Sequence, residues 1–278
     1  MRLNSFLHRH RKLSFALFTM LPALAQPAAA QYGFALSPMR TELTVAPGTQ
    51  RNGVLAIAND AKESARFRTE ILDVSIDHEA VPQFEKDIPS EAGFSCRDWV
   101  TVNPMEAEMA PSSQMTVRYT FRVPAAATPR TYHCALGFTS LPDPKKSQAS
   151  VGIVAQLRLT ATFYITVGTP APAGEIKTIS IEKLQTNKTP GYRAVISVEN
   201  TGLTNLRGAG KIDVTNESGH VILASEFPPV VIYPSRTQRL PVPLGPNLTD
   251  GTYTLHTRVN LGNGEIQEAT YRFRVPTE

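Results

Sequence analysis

Every odd position from Val151 through Ile153, Ala155, Leu157, Leu159, Ala161, Phe163, Ile165 to Val167 is apolar. The even positions between them include Gln156, Arg158, Thr160, Thr162, Tyr164 and Thr166. An alternation of period two predicts a β-strand with one buried face. Strands commonly run about 5–6 residues and seldom exceed about 10, so this strip is longer than a single sheet needs. Part of it is therefore expected to extend past its own sheet as an apolar edge open to another chain. Val151, Ile153, Ala155 and Leu157 form the stretch expected to do so.

The same alternation, cut into short runs by Pro, Gly, Asn and Asp, covers most of the chain. Strands are predicted at Tyr32–Met39 leading into Arg40–Gly48, a strand ending in a turn, and at Asn52–Asn59, Ala65–Ile76, Trp99–Pro104, Gln114–Val123 and Thr131–Thr139, before the long strip. The segment from His78 to Phe94 has no clear period and is read as a loop or ragged edge. Thr169-Pro-Ala-Pro-Ala-Gly174 joins two periodic regions and has the composition of a linker. Beyond it strands are predicted at Ile176–Leu184, Tyr192–Glu199, Gly210–Asn216, Val221–Ala224, Val230–Tyr233, Gln238–Val242, Gly251–Asn260 and Glu265–Val275. Asn216–Gly219 and Gly262–Gly264 read as hairpin turns. No amphipathic helix is predicted. Short strands with regular turn signals predict an all-β chain of two tandem immunoglobulin-like antiparallel sandwiches, at 31–168 and 175–278 with the linker at 169–174.

The first thirty residues belong to neither sandwich. Arg2, Arg9, Arg11 and Lys12 precede an apolar run from Leu13 to Ala25 and a small-residue end at Ala28-Ala-Ala30. This is the pattern of a secretory signal peptide cleaved between Ala30 and Gln31. The apolar run is short of the roughly 20 residues a spanning helix needs and contains Pro22. Removing the segment's four basic residues from the formal net charge of +4 leaves the rest of the chain near zero. The basic balance thus belongs to the export signal, and no nucleic-acid partner is implied. In an exported chain the two cysteines, Cys96 and Cys134, are expected to form one disulfide, which would stabilise the fold by about 4 kcal/mol on the chain-entropy model. Trp99 is expected to pack against that bridge.

Catalytic signals are weak. His78, His133, His220 and His256 are not spaced as metal ligands on one element. There is no Gly-x-Ser-x-Gly elbow, phosphate-binding loop or dinucleotide fingerprint. Asp73, Asp77, Glu79 and Glu85 read as a solvated acidic stretch. The chain is read as a non-enzyme without cofactor or metal.

Several passages of the first region resemble the amino-terminal domain of PapD-like periplasmic pilus-assembly chaperones. Ala35-Leu-Ser-Pro-Met-Arg-Thr-Glu-Leu-Thr-Val-Ala-Pro-Gly48 resembles that family's first strand, with Arg40 in the place of its strand arginine. Leu55-Ala-Ile-Ala-Asn59 resembles its second strand. Trp99-Val-Thr-Val-Asn-Pro104 with Met109-Ala-Pro-Ser-Ser-Gln-Met-Thr-Val-Arg118 resembles a later passage, and the strip ending in Phe163-Tyr164 resembles the last strand. The resemblance implies a periplasmic protein that binds pilus or surface subunits by strand addition. It also implies that Arg40 anchors a carboxylate together with a second base. The position of that second base is occupied by Ala161 here, the nearest basic residue is Arg158, and Ile165 stands where the family has an arginine. Arg40 also reads as a plain partner for Glu42 or Glu70. The passages Trp99-Val-x-x-x-Pro and Tyr132-x-Cys-x-Leu-Gly137 are similar to WxL-interacting surface proteins as well, which implies a structural envelope protein that binds peptidoglycan or a surface protein.

Overall fold

The computed structural model describes residues 33–77, 79–142, 156–184, 191–245, 248–262 and 264–276. Val151, Ile153, Ala155, Ala30 and Gln31 lie outside the described residues. Ten strands precede the proline-bearing linker: β1 (Phe34–Ser37), β2 (Arg40–Val45), β3 (Gln50–Asn59), β4 (Ala65–Ile76), β5 (Pro82–Glu85), β6 (Val100–Asn103), β7 (Glu106–Met109), β8 (Ser113–Arg122), β9 (Arg130–Leu141) and β10 (Arg158–Val167). Seven follow it: β11 (Gly174–Leu184), β12 (Gly191–Asn200), β13 (Leu206–Asn216), β14 (Val221–Ile232), β15 (Thr237–Pro243), β16 (Gly251–Asn260) and β17 (Ile266–Val275). β11 starts at Gly174, the last residue of the expected linker.

These strands form four sheets. Sheet I has the order β1-β3-β8-β6, and sheet II the order β2-β10-β9-β4-β5 with β7 also on β4. Sheet III is β11-β12-β15 and sheet IV is β14-β13-β16-β17. All pairings are antiparallel except that of β10 with β2. Sheets I and II close on one core, in which Leu55 and Ile57 of β3, Phe121 of β8, Phe67 of β4, Leu136 of β9 and Phe163 of β10 are buried. Tyr119, Phe121 and Phe163 meet with ring centroids 4.8–5.7 Å apart, in edge-on or tilted arrangements that aromatic quadrupoles favour. Sheets III and IV enclose a second core around Ile196, Ile212, Leu240 and Leu255. The fold is thus all-β, with two immunoglobulin-like sandwiches in tandem.

The alternation patterns convert directly into burial. On β10, Ala161, Phe163, Ile165 and Val167 are all buried, and the residues between them are half-buried. β1 and β2 are consecutive in sequence yet lie in different sheets. The chain changes sheet at Pro38-Met39, where proline supplies no N–H to continue a ladder. Three elements differ from the sequence expectation. β7 is a separate strand, β5 forms within the expected loop, and the two strands expected at Val221–Ala224 and Val230–Tyr233 are one, β14. Pro228 and Pro229 do not break it because β14 is an edge strand, paired only with β13, and the register shifts between Gly208 and Gly210 absorb them.

Cys96 and Cys134 form the expected disulfide, with a Cα–Cα distance of 5.3 Å and both residues buried. Trp99 packs against the same core, 4.3 Å from Tyr132 between ring centroids.

Candidate functional site

The described part of β10 is paired along its whole length on one side only. On the β9 side the register runs from Arg158↔Thr139 to Val167↔Arg130. On the other side β2 covers only Thr162 to Val167, and the Thr162 amide donates to the Met39 carbonyl at 3.0 Å. Arg158 to Ala161 therefore have no strand on that side among the described residues.

Strand geometry identifies which backbone groups this leaves open. The Leu157 carbonyl accepts from the Ser140 amide at 2.8 Å, and the Leu157 amide donates to Ser140 Oγ at 2.9 Å, so Leu157 faces β9. Alternate residues turn their amide and carbonyl to opposite sides. Leu159 and Ala161 therefore face β9, while Arg158 and Thr160 turn toward the side where β2 has ended. The open edge is four residues long, and two of them offer backbone groups to a guest strand.

The apolar face changes character along the same stretch. Ala161 is fully buried, whereas Leu159 and Leu157 are half-buried at the mouth of the sandwich. Phe34 of β1 is also half-buried against the first core, and Met39 at the sheet change is 55% exposed. Apolar surface thus collects at the seam that the open edge borders.

Arg40 and Arg158, the basic residues singled out from the sequence, both lie on the outer face of sheet II. Arg40 donates from Nε to Glu42 Oε1 at 2.6 Å and lies 5.7 Å from the centroid of the Tyr164 ring. Its partner is therefore Glu42 and not Glu70. Arg158 donates from Nε to Thr139 Oγ1 at 3.2 Å and reaches Glu70 at 3.3 Å, so it crosses the outer face of the sheet. A side chain at position 137 would crowd this path, since a Cβ there would lie 3.5 Å from Arg158 Cδ and 2.7 Å from Leu72 Cδ1. Arg40 and Arg158 are not brought together on a common group.

Arg40 shares its acceptor with a base the sequence did not single out. Arg207, at the start of β13 in the second sandwich, donates to the same Glu42 oxygen as Arg40. This contact belongs to a junction in which the first sandwich supplies acids and the second arginines. Arg236 donates to Glu91 Oε1 at 2.6 Å, and Arg239 pairs with Glu79. Arg193, on β12, lies 3.5 Å from Glu79. Backbone groups join too: the Thr131 amide donates to the Leu203 carbonyl at 2.8 Å. Thr131 Oγ1 also lies 2.9 Å from Thr204 Oγ1.

At the centre of this junction is His133, fully buried on β9. Its Nε2 lies 3.0 Å from Glu91 Oε2, its ring stacks on Tyr233 of the second sandwich at 4.0 Å, and the Phe94 ring lies parallel to it at 6.2 Å. Burial pushes the Glu91 carboxyl up, but the hydrogen bond and charge of His133 and the charge of Arg236 outweigh it and hold the group below its ordinary value. The Tyr233 and Tyr164 hydroxyls are pushed up, in both cases chiefly by burial. No spacing in the sequence points to this cluster, because its members are 42 and 145 residues apart.

No protein-family model matches the chain, and no curated protein matches it. Among solved structures it is similar to the class 5 fimbriae chaperone CfaA, at 14% identity over 87% of this chain and 99% of that one, with a TM-score of 0.45. It is similar to the YadV chaperone at 11% identity over 87% and 100% of the two chains, with a TM-score of 0.44. It is also similar to the CupB2 chaperone of Pseudomonas aeruginosa, at 12% identity over 87% and 100%, with a TM-score of 0.41. At these identities and TM-scores the likeness carries no functional assignment, which rests on the residues of this chain.

Proposed function

We propose that this protein is an exported, non-enzymatic chaperone-like protein that binds protein subunits of a pilus or other surface structure by β-strand addition at β10. One observation carries the reading: Arg158 and Thr160 turn their backbone groups to a side where no described strand pairs with them. Unpaired strand edges are templates for another chain, and soluble proteins usually block them. Four other edge strands have such blocks. Pro228 and Pro229 lie in β14, Pro241 and Pro243 in β15, Pro82 in β5, and Glu268, Arg272 and Arg274 line β17. The edge from Arg158 to Ala161 contains no proline, and Leu157 and Leu159 lie beside it.

In this reading an extended segment of the client continues the line of β2 along β10, covering the seam at Phe34, Met39, Leu157 and Leu159. By sequence alternation the contact extends to Val151, Ile153 and Ala155, which supply apolar side chains to the client. Arg40 and Arg158 present charge on the adjoining face. The amino-terminal basic and apolar segment directs export to the periplasm, with cleavage after Ala30. Among the described residues no helix is long and apolar enough to cross a membrane.

The test uses a pilin-type subunit lacking its last strand, refolded with and without this protein while light scattering is followed. Suppression of aggregation is expected with the native protein and not with Thr160→Pro. Equal suppression by both proteins, with equal melting temperatures, would rule out the β10 edge.

A further inference from the structure

The segment from Ile88 to Trp99 has no part in the proposed client edge, yet it carries the groups that hold the second sandwich. β4 leaves β9 after the pairing of Leu72 with Ala135 and goes on to pair with β5. Phe94-Ser95-Cys96 fills the gap this leaves beside β9. The His133 amide donates to the Phe94 carbonyl at 2.8 Å, and the Cys96 amide donates to the His133 carbonyl at 3.2 Å. Asp73 of β4 holds the other side, accepting from the Ile88 amide at 3.0 Å and from Ser95 Oγ at 2.5 Å, with Arg97 Nη1 at 3.3 Å. The segment is short of regular structure, with one 3₁₀ turn at Pro89–Glu91 and another at Arg97–Trp99. The disulfide to Cys134 is its covalent attachment to β9.

The direction of the side chains gives that attachment a consequence outside the first core. Cys134 points into the core, while its neighbour His133 points outward and stacks on Tyr233. The tethered segment places Glu91 against both His133 and Arg236, and Phe94 parallel to the imidazole. Arg236 also donates to the Ser90 carbonyl at 3.0 Å. The segment therefore completes the socket that receives the Tyr233–Arg236 turn of the second sandwich.

We infer that the Cys96–Cys134 disulfide is a covalent latch for the junction between the two sandwiches. It holds the Ile88–Trp99 segment as one wall of the socket. Without the bond the segment opens, Glu91 and Phe94 leave His133, and the second sandwich loosens while both cores stay folded. Loss of a tether acts first on the least regular structure it holds, and each core keeps its own paired strands.

Amide hydrogen exchange on the full chain tests this with a direct reporter. The Thr131 amide donates to Leu203 across the junction, so its exchange reads junction opening. In the Cys96→Ser/Cys134→Ser protein, exchange of the amides of Thr131, Phe94 and the serine at position 96 is expected to accelerate at least tenfold. Amides of β3, β8, β12 and β13 should stay within about twofold of the native protein. In Arg236→Ala, Thr131 should accelerate while Phe94 and the Cys96 amide remain protected, because the disulfide still holds the segment. Unchanged exchange at Thr131 in the cysteine variant would overturn the latch, as would loss of protection throughout β3 and β8, which would assign the disulfide to the core. Opening of Phe94 in Arg236→Ala to the same degree as in the cysteine variant would also overturn it.

Discussion

The imidazole of His133 and the phenol ring of Tyr233 stack at 4.0 Å with an interplanar angle of 22°, one ring from each sandwich. Tyr233 is nearly fully buried although it sits in the turn between β14 and β15. A buried aromatic in a connecting turn is there for what it contacts, and its contact is the other sandwich. Tyr233→Ala is expected to cost about 3 kcal/mol, within the range for truncating a buried aromatic. The loss should fall on the junction, so calorimetry of the variant should resolve two unfolding transitions. A single transition shifted as a whole would mean that Tyr233 supports the second core instead.

Glu91 and Arg236 make unequal contributions to their shared ion pair. The side chain of Glu91 is 3% exposed and that of Arg236 is 42% exposed. Removing Arg236 lets water reach what is left, whereas removing Glu91 strips both His133 and Arg236 of their acceptor. Breaking a buried pair costs about 3–5 kcal/mol, and exposed pairs are worth about 1 kcal/mol or less. Urea denaturation is expected to rank Glu91→Ala as more destabilising than Arg236→Ala by at least about 1 kcal/mol.

The same carboxylate sets an acid limit. Its folded-state value is held below the ordinary 4.5. A depressed carboxyl contributes stability that is present above its unfolded value and is lost as pH falls through the folded one. The native protein should therefore lose stability below about pH 4.5 more steeply than Glu91→Gln, and the two curves should run parallel at higher pH. At the alkaline end the sign reverses. Tyr164 and Tyr233 have raised values, so their contribution is intact below about pH 10 and is lost as pH rises beyond it. Denaturation of Tyr164→Phe/Tyr233→Phe should be flatter in that range.

Period-two alternation made the two cores legible. Ala65–Ile76 and Gly251–Asn260 have the predicted bounds, and Phe163, Ile165 and Val167 are buried as their spacing requires. β7 was not legible because Glu106-Ala-Glu-Met109 carries two acids and forms an edge against β4 alone. Burial does not write an alternating pattern into an edge strand. The junction was illegible for a different reason. Glu91, His133, Tyr233 and Arg236 are unremarkable in their local windows and acquire meaning only when two sandwiches bring them together. Arg40 could be singled out on its strand, but Arg207, which shares its Glu42 acceptor from the second sandwich, could not.

Close packing in the first core gives a prediction independent of the junction. Gly53 of β3 pairs with Tyr119 of β8, and a Cβ at position 53 would lie 2.2 Å from the Tyr119 hydroxyl oxygen and 2.3 Å from Cζ. The ring cannot yield freely, since it also meets Phe121 and Phe163. Gly53→Ala is expected to cost about 1–3 kcal/mol by overpacking. In a Tyr119→Leu background the added penalty of Gly53→Ala should shrink to under about half that value, which a double-mutant cycle in urea would measure.

The orientation of β10 makes a sharp prediction about two adjacent residues. Thr160 turns its amide away from β9, so replacing it with proline removes no ladder bond. Leu159 turns its amide toward β9, opposite Phe138, so proline there removes a bond and strands the Phe138 carbonyl. An acceptor left without its donor costs about 1–3 kcal/mol, and the half-buried Leu159 side chain adds to that. Thr160→Pro should therefore stay within about 1 kcal/mol of the native protein in urea, and Leu159→Pro should fall well below it. Client binding follows a different order. Thr160→Pro should lose it despite near-native stability, because the guest strand needs the amide that proline lacks. A Thr160→Pro protein as unstable as Leu159→Pro would mean that the Thr160 amide already has a partner, and the free edge at β10 would then not exist.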